Sequence, residues 1–283
     1  MIGTQDYRTA AYFGLQDKWI ETAPGEITHL HDEGEGTPVL FLHGSGTGVS
    51  AAANWWLTLP AIAGRMRGIA PDLIGFGATL EAEGTAYGIR EWGAHTLRIL
   101  DTLGIEKAWI VGNSLGGWIA LQLAIEHPDR LLGVVSMGTG GSAPTAAIKA
   151  HATPDVSFAG MRTAFEKFVT DTSLVDDDMI AARQEVAVYE TESGRLDKVI
   201  AARERDRSAL PLDDELLAKV DLPVLLVHGR EDVVIPPART WHLVNKIPNA
   251  DAVILRGCGH WSQIERAGAF VKAMTDFIDG TWR

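Results

Sequence analysis

The pentapeptide Gly112-Asn113-Ser114-Leu115-Gly116 limits what this chain can fold into more than any other stretch. The strand-like run Lys107-Ala108-Trp109-Ile110-Val111 leads into it. The helix-like run from Gly116 to Ile125 leads out. A chain that passes from strand to helix through so short a turn has no room for a side chain on either flank. Glycine at both ends lets the backbone through and leaves the central serine hydroxyl exposed above the sheet. The pattern G-x-S-x-G alone is weak, because small residues also favour loops. A strand before it and a helix after it make it a nucleophile elbow.

The flanking sequence alternates strand and helix. An opening hairpin is expected at about residues 12–32, then a strand at 38–42, a helix near 53–64, a short strand to Ala70 and a helix at 89–103. Beyond the elbow helix a strand is expected at 131–137. Such alternation predicts an α/β chain with a parallel sheet covered on both faces. It stops at Gly138-Thr139-Gly140-Gly141-Ser142-Ala143-Pro144, which reads as a hinge-like loop. From 139 to 218 the pattern is helical, with Met161–Val169, Asp178–Tyr189 and Arg195–Arg207 as the candidates. Strands resume at Leu222–His228 and Ala252–Leu255. The chain is therefore expected to consist of a core, 1–138 with 219–283, and an inserted helical lid, 139–218.

Elbow serines work with an acid and then a histidine further along the chain. Asp232 lies in a loop just past the buried strand ending at His228, and His260 just past the strand ending at Leu255. Loops at the carboxyl edge of a parallel sheet converge on one crevice, so residues distant in sequence can meet there. A serine hydroxyl is a poor nucleophile until a base takes its proton. Histidine does this near neutral pH, and a carboxylate fixes its tautomer and stabilises its charged form. Glu231 and Asp251 are competing carboxylates. Asp232 alone would also suit a helix N-cap, and His260 alone a surface loop. The other histidines, including His228 and His242, read as structural or solvated. The apolar strand Val39–Leu42 runs into His43-Gly44-Ser45-Gly46-Thr47-Gly48. Three glycines in this loop allow close backbone approach. The N–H groups of Ser45 and Leu115 are the candidate oxyanion donors.

Composition narrows the function class. The 283 residues carry a formal charge of −12, which argues against a broad nucleic-acid footprint. No apolar run approaches the roughly 20 residues that span a bilayer. Met1–Arg8 lacks the basic and apolar regions of a secretory signal. Cys258 is the single cysteine, so no internal disulfide forms, which fits a cytoplasmic location. Beside a serine elbow it is not expected to be the nucleophile. No Cys/His spacing suggests a metal, and no cofactor is expected.

From about Gly34 to Phe277 the chain resembles the α/β-hydrolases, and within them the meta-cleavage product hydrolases. These cleave a carbon–carbon bond in ring-fission products of aromatic catabolism. The family pattern H-G-[SG]-G-P-G…N appears as His43 to Gly48 with Asn54. Its G-N-S-[FM]-G-G appears as Gly112 to Gly117, its H-G-x-x-D-x-x-x-P as His228 to Pro236, and its C-G-H-W as Cys258 to Trp261. The stretch Ser173–Arg183 is similar to the segment supplying the family's carboxylate-binding arginine. The resemblance implies a mostly parallel eight-stranded sheet, helices on both faces, and a homodimer or higher homo-oligomer. It also implies an anionic small-molecule substrate held by Arg183, with Asn54, Asn113, Trp261 and Gly46 around it. A guanidinium suits that task because its planar fork matches a carboxylate. Taken alone, Arg183 reads equally as a solvated helix residue and Trp261 as core. The chain departs from the family at Thr47, where proline is usual, and at Leu115, where Phe or Met is usual. A carboxylesterase or lactonase with the same triad, a non-hydrolytic binder and a cofactor-free oxygenase are the rival readings.

Overall fold

The computed structural model describes residues 13–141 and 154–282. Eight strands form one sheet: β1 (Lys18–Ala23), β2 (Glu26–Glu33), β3 (Thr37–Leu42), β4 (Met66–Pro71), β5 (Ala108–Asn113), β6 (Leu131–Met137), β7 (Val224–Gly229) and β8 (Ala250–Leu255). Their order is β1-β2-β4-β3-β5-β6-β7-β8. Only β2 runs against its neighbours; the other pairings from β4 to β8 are parallel. The expected hairpin is β1–β2, turning at Pro24-Gly25.

The central strands are buried along their whole length, as apolar runs covered on both faces must be. Successive residues of β5 serve opposite layers. Ile110 packs with α3 (Ile89–Thr102) and α4 (Leu115–Glu126), whereas Val111 packs with α1 (Ala51–Trp55), α2 (Thr58–Ile62) and α11 (Ala267–Ile278). The single helix expected near 53–64 is two short ones. Pro60 has no N–H to donate to Trp56, so the ladder cannot run through.

Between β6 and β7 the described elements are helical: α5 (Phe158–Phe165), α6 (Asp177–Glu192), α7 (Arg195–Ala209) and α8 (Asp214–Leu217), besides one 3₁₀ turn. The start of the expected hinge-like loop, through Gly141, is described; its remainder lies outside the described residues. Helix α5 begins earlier than the expected Met161, because Ser157 caps Gly160 N at 3.1 Å. It also ends earlier, at Phe165. The freed residues 166–171 form a loop that reaches the site. Helices α9 (Ala238–Val244) and α10 (Ser262–Glu265) follow β7 and β8.

Candidate active site

Ser114 is the one non-glycine residue with positive φ among the described residues, at φ 54° and ψ −106°. Three hydrogen bonds hold this strained backbone. Its N–H donates to Met137 O at 2.9 Å, and its carbonyl accepts from Gly140 N at 2.9 Å and Trp118 N at 3.1 Å. The flanking glycines are sterically obligatory. A Cβ on Gly112 would lie 2.2 Å from the carbonyl of Gly116, and one on Gly116 would lie 2.2 Å from Leu42 O. The elbow is thus pressed against both the first turn of α4 and the end of β3.

His260 and Asp232 meet at the end of the sheet. His260 Nδ1 lies 2.7 Å from Asp232 Oδ2. With Nδ1 donating, Nε2 is the nitrogen left for proton exchange. The other carboxylate oxygen of Asp232 accepts from Val234 N at 2.8 Å and Ile235 N at 2.9 Å, which orients the acid. Burial opposes ionisation of Asp232. The charge of His260 and hydrogen bonds from His228 and His260 outweigh it and hold the carboxyl well below the usual range. Glu231 instead points to Arg230 and to Cys258 N, so it takes no part in this pair. Burial pushes the Cys258 thiol up to about 12, which keeps it protonated and unreactive.

The histidine loop is fixed from outside the core. His260 N donates to Phe168 O at 2.6 Å, and Trp261 N to the same carbonyl at 3.1 Å. Glu265 clamps both partners: Oε2 accepts from Gly259 N and Oε1 from Thr170 N, each at 2.6 Å. Gly138, at the end of β6, has φ +51°, and a Cβ there would lie 2.9 Å from the His260 ring. Only glycine fits.

The loop after β3 crosses the elbow closely enough that a Cβ on Gly44 would lie 3.0 Å from Asn113 Oδ1 and 3.6 Å from Ser114 Cβ. This brings the backbone of Ser45 to the start of α4, where Leu115 lies. His43 braces the loop: its Nδ1 is 2.7 Å from Gly44 O, and its Nε2 accepts from Leu73 N at 3.0 Å. Burial keeps this ring neutral, with its pKa below the usual value.

A cleft enclosing about 920 Å³ free of protein atoms, part of it open to solvent, lies over these groups. All the residues expected in the site line it except Asp232, which stands behind His260. Arg183 is the decisive member. It projects from α6 and is 1% exposed. Its guanidinium carbon lies 4.5 Å from the ring centroid of Trp261 and 5.2 Å from that of Phe165. One N–H donates to Ala53 O at 2.8 Å, while Nε is buried without a partner. Burial alone lowers its pKa to about 9, and no carboxylate offsets it. Asn54 Nδ2 and Asn113 Nδ2 are buried and unpartnered in the same cleft. A buried cation and unsatisfied donors converge where an anionic, oxygen-rich ligand would satisfy them. Gly48 locks Arg183 in place; at φ +65°, a Cβ on it would lie 2.0 Å from Arg183 O. Thr47, the departure from proline, is buried and lines the cleft.

Two features were not expected. His228, read as structural, places Nε2 3.1 Å from Asp232 Oδ2 and so touches the candidate triad acid. Its position four residues before Asp232 carries that signal only once β7 is known to end at Gly229. Helix α7 turns Arg203 and Arg207 into the cleft. Among the described residues one acidic and histidine cluster, Asp17, His29 and His31, brings possible metal-ligand atoms within 4.8 Å of one another. Both ring nitrogens of His29 are already on carboxylates, Asp17 and Asp72, each at 2.8 Å. Against its burial these carboxylates lift His29 to about 9.

The family described as alpha/beta hydrolase fold matches residues 37–209, and one described as TAP-like protein matches 202–281. The 2-hydroxymuconate semialdehyde hydrolase of Pseudomonas sp. (strain CF600) is 38% identical, over 90% of this chain and 92% of its own. The 2-hydroxy-6-oxo-2,4-heptadienoate hydrolase of Pseudomonas putida is 36% identical, over 90% of this chain and 94% of its own. The crystal structure of a meta-cleavage product hydrolase from Pseudomonas fluorescens IP01 superposes with a TM-score of 0.87 at 37% identity, covering 94% of this chain and 98% of that one. The chain belongs to the meta-cleavage product hydrolases of the α/β-hydrolase fold. It is an enzyme, a hydrolase acting on carbon–carbon bonds in aromatic catabolism. No helix among the described residues is long and apolar enough to cross a membrane.

Proposed function

We propose that this enzyme hydrolyses the C5–C6 bond of a 2-hydroxy-6-oxo-hexa-2,4-dienoate-type ring-fission product, giving a 2-hydroxypentadienoate and a carboxylic acid. Arg183 carries the reading. A fully buried guanidinium with a free N–H and no acid beside it is costly to keep unless a substrate carboxylate completes it. The C1 carboxylate occupies that position, with Asn54, Asn113, Gly46 and Trp261 positioning the enol end.

The reaction then has two stages. The dienol first gives up its hydroxyl proton and gains one at C5, so that C5 becomes a saturated carbon between the C6 carbonyl and a C2 ketone conjugated through C3=C4, the sink for the C5–C6 electron pair. Ser114 next attacks the C6 carbonyl while His260 takes its proton and Asp232 holds the imidazole. The N–H groups of Ser45 and Leu115 stabilise the oxyanion, with the start of α4 adding its dipole. Collapse breaks C5–C6, the electron pair entering the dienolate product, and water releases the acid. Residues 139–218 act as the lid that excludes solvent over a core of 1–138 and 219–283, through the Phe168 and Glu265 contacts to the histidine loop.

The test is an absorbance assay. A panel of yellow ring-fission products is compared with p-nitrophenyl esters on the same enzyme, with Ser114→Ala as control. Faster turnover of a neutral ester than of every dienoate would overturn the reading in favour of a carboxylesterase.

A further inference from the structure

Helix α7 presents Leu196, Ile200, Arg203 and Arg207 to the cleft, at the spacing of a single helical face. The first two suit an apolar acyl pocket. The two arginines do not, and both are half-buried. On the same helix Arg195 pairs with Glu81, and Arg205 with Asp206. Among the described residues Arg203 and Arg207 have no such ion pair. Arg203 donates to the carbonyl of Ser45 at 3.2 Å, which uses one of its five N–H donors and neutralises no charge. Burial lowers Arg203 to about 10, and Arg207 depresses it further than exposed Glu204 restores it. Two cations side by side on one helical face, lining a cleft whose described lining residues include no acid, form a place for an anion.

That place is separate from Arg183. Arg183 projects from α6, Arg203 and Arg207 from α7. Arg183 lies between Trp261, Phe165 and the carbonyl of Ala53, whereas Arg203 lies beside Ser45. With the C1 carboxylate on Arg183, the part of the substrate left to meet α7 is the acyl group beyond C6.

We propose that Arg203 and Arg207 bind a second carboxylate at the far end of the acyl chain, so that the preferred substrate is a dienedioate. This rests on the assignment of C1 to Arg183. The bond changes are those already described; the second carboxylate is a spectator, and the acid released is a dicarboxylic acid.

The experiment compares matched pairs of ring-fission products, in a shorter and a longer acyl chain. Each pair differs only in a terminal carboxylate or a methyl group in its place. The wild-type enzyme is expected to favour the dienedioate in kcat/KM by about 30-fold or more at one of the two lengths. In the double variant Arg203→Gln/Arg207→Gln that ratio falls towards one. A wild-type ratio near one at both lengths, or an equal loss for both members of a pair in the variant, overturns the proposal. The second result would make the arginines a brace for the Ser45 loop. Arg183→Gln is run in parallel and should lower both members of a pair together. If it lowers neither, the C1 assignment fails, while the dienedioate ratio still decides the acyl-end proposal by itself.

Discussion

His228 Nε2 lies 3.1 Å from Asp232 Oδ2, the same oxygen that faces His260 Nδ1. The other nitrogen of His228 lies 2.7 Å from Thr240 Oγ1, and Nε2 also faces Ile235 O at 2.8 Å, so its ring is locked. A fixed neighbour on the proposed triad acid steadies the direction in which Asp232 holds His260. His228→Leu is expected to lower kcat/KM by about tenfold and stability by about 1–3 kcal/mol, the cost of leaving buried acceptors short of a donor. Asp232→Asn is expected to cost more, about 10⁴-fold in kcat, because the amide favours the wrong histidine tautomer. Glu231→Gln should be mild. Steady-state kinetics on the three variants check the ranking; Glu231→Gln as the most damaging would reverse the assignment.

Ser114→Ala should abolish turnover by several orders of magnitude while substrate binding persists, since triad members act as a unit. Rapid mixing separates the two: the dienoate spectrum should shift on binding and then fail to decay. Decay near the wild-type rate would show that Ser114 is not the nucleophile.

Loss of the Arg183 guanidinium removes a charge-assisted contact in a closed cleft. Arg183→Gln should cost about 2–5 kcal/mol, which is roughly 30-fold to several-thousand-fold in kcat/KM on a dienoate. A neutral p-nitrophenyl ester has no carboxylate to lose. The measured quantity is the dienoate-to-ester activity ratio in wild type and variant. An unchanged ratio would return Arg183 to a packing role beneath Trp261.

The parts of the site legible in the sequence are those fixed by backbone constraints close to them in the chain. Ser114 is announced by the two glycines that its turn requires, Asp232 by its place just past the buried β7, and His260 by its place past the end of the edge strand β8. Arg183 was legible only through resemblance, because nothing local tells a helical arginine that it will be buried. His228 sits in a strand whose every residue is buried, so its contact with Asp232 depends on how the loop to Ile235 folds back. Arg203 and Arg207 lie on a helix rich in charge, where neighbouring Arg195 and Arg205 do form ion pairs. Only the packing of α7 distinguishes the two kinds. The Phe168 carbonyl reaches His260 because α5 stops at Phe165, an end that the apolar spacing of Met161–Val169 does not mark.

Glu190, one helical face along from Arg183, sets a pH dependence of stability. It is buried, accepts Gly77 N at 3.1 Å, and ties α6 to the loop carrying Gly48. Burial is the main cause that raises its pKa to about 8, with Asp72 adding to it. A carboxyl group whose pKa is higher folded than unfolded contributes its stability in full below the unfolded value of 4.5 and loses it as pH rises through the folded value. Wild-type stability should therefore fall across that interval. Glu190→Gln keeps an acceptor for Gly77 N and cannot ionise. Its advantage over wild type should be small near about pH 5 and grow to about 2–4 kcal/mol near about pH 9. The ceiling is roughly 5 kcal/mol, since a carboxyl moved from 4.5 to about 8 changes stability by about 1.4 kcal/mol for each pH unit crossed. Urea unfolding at both pH values measures the difference. A gap between variant and wild type that does not change with pH would mean that Glu190 is already ionised in the folded protein.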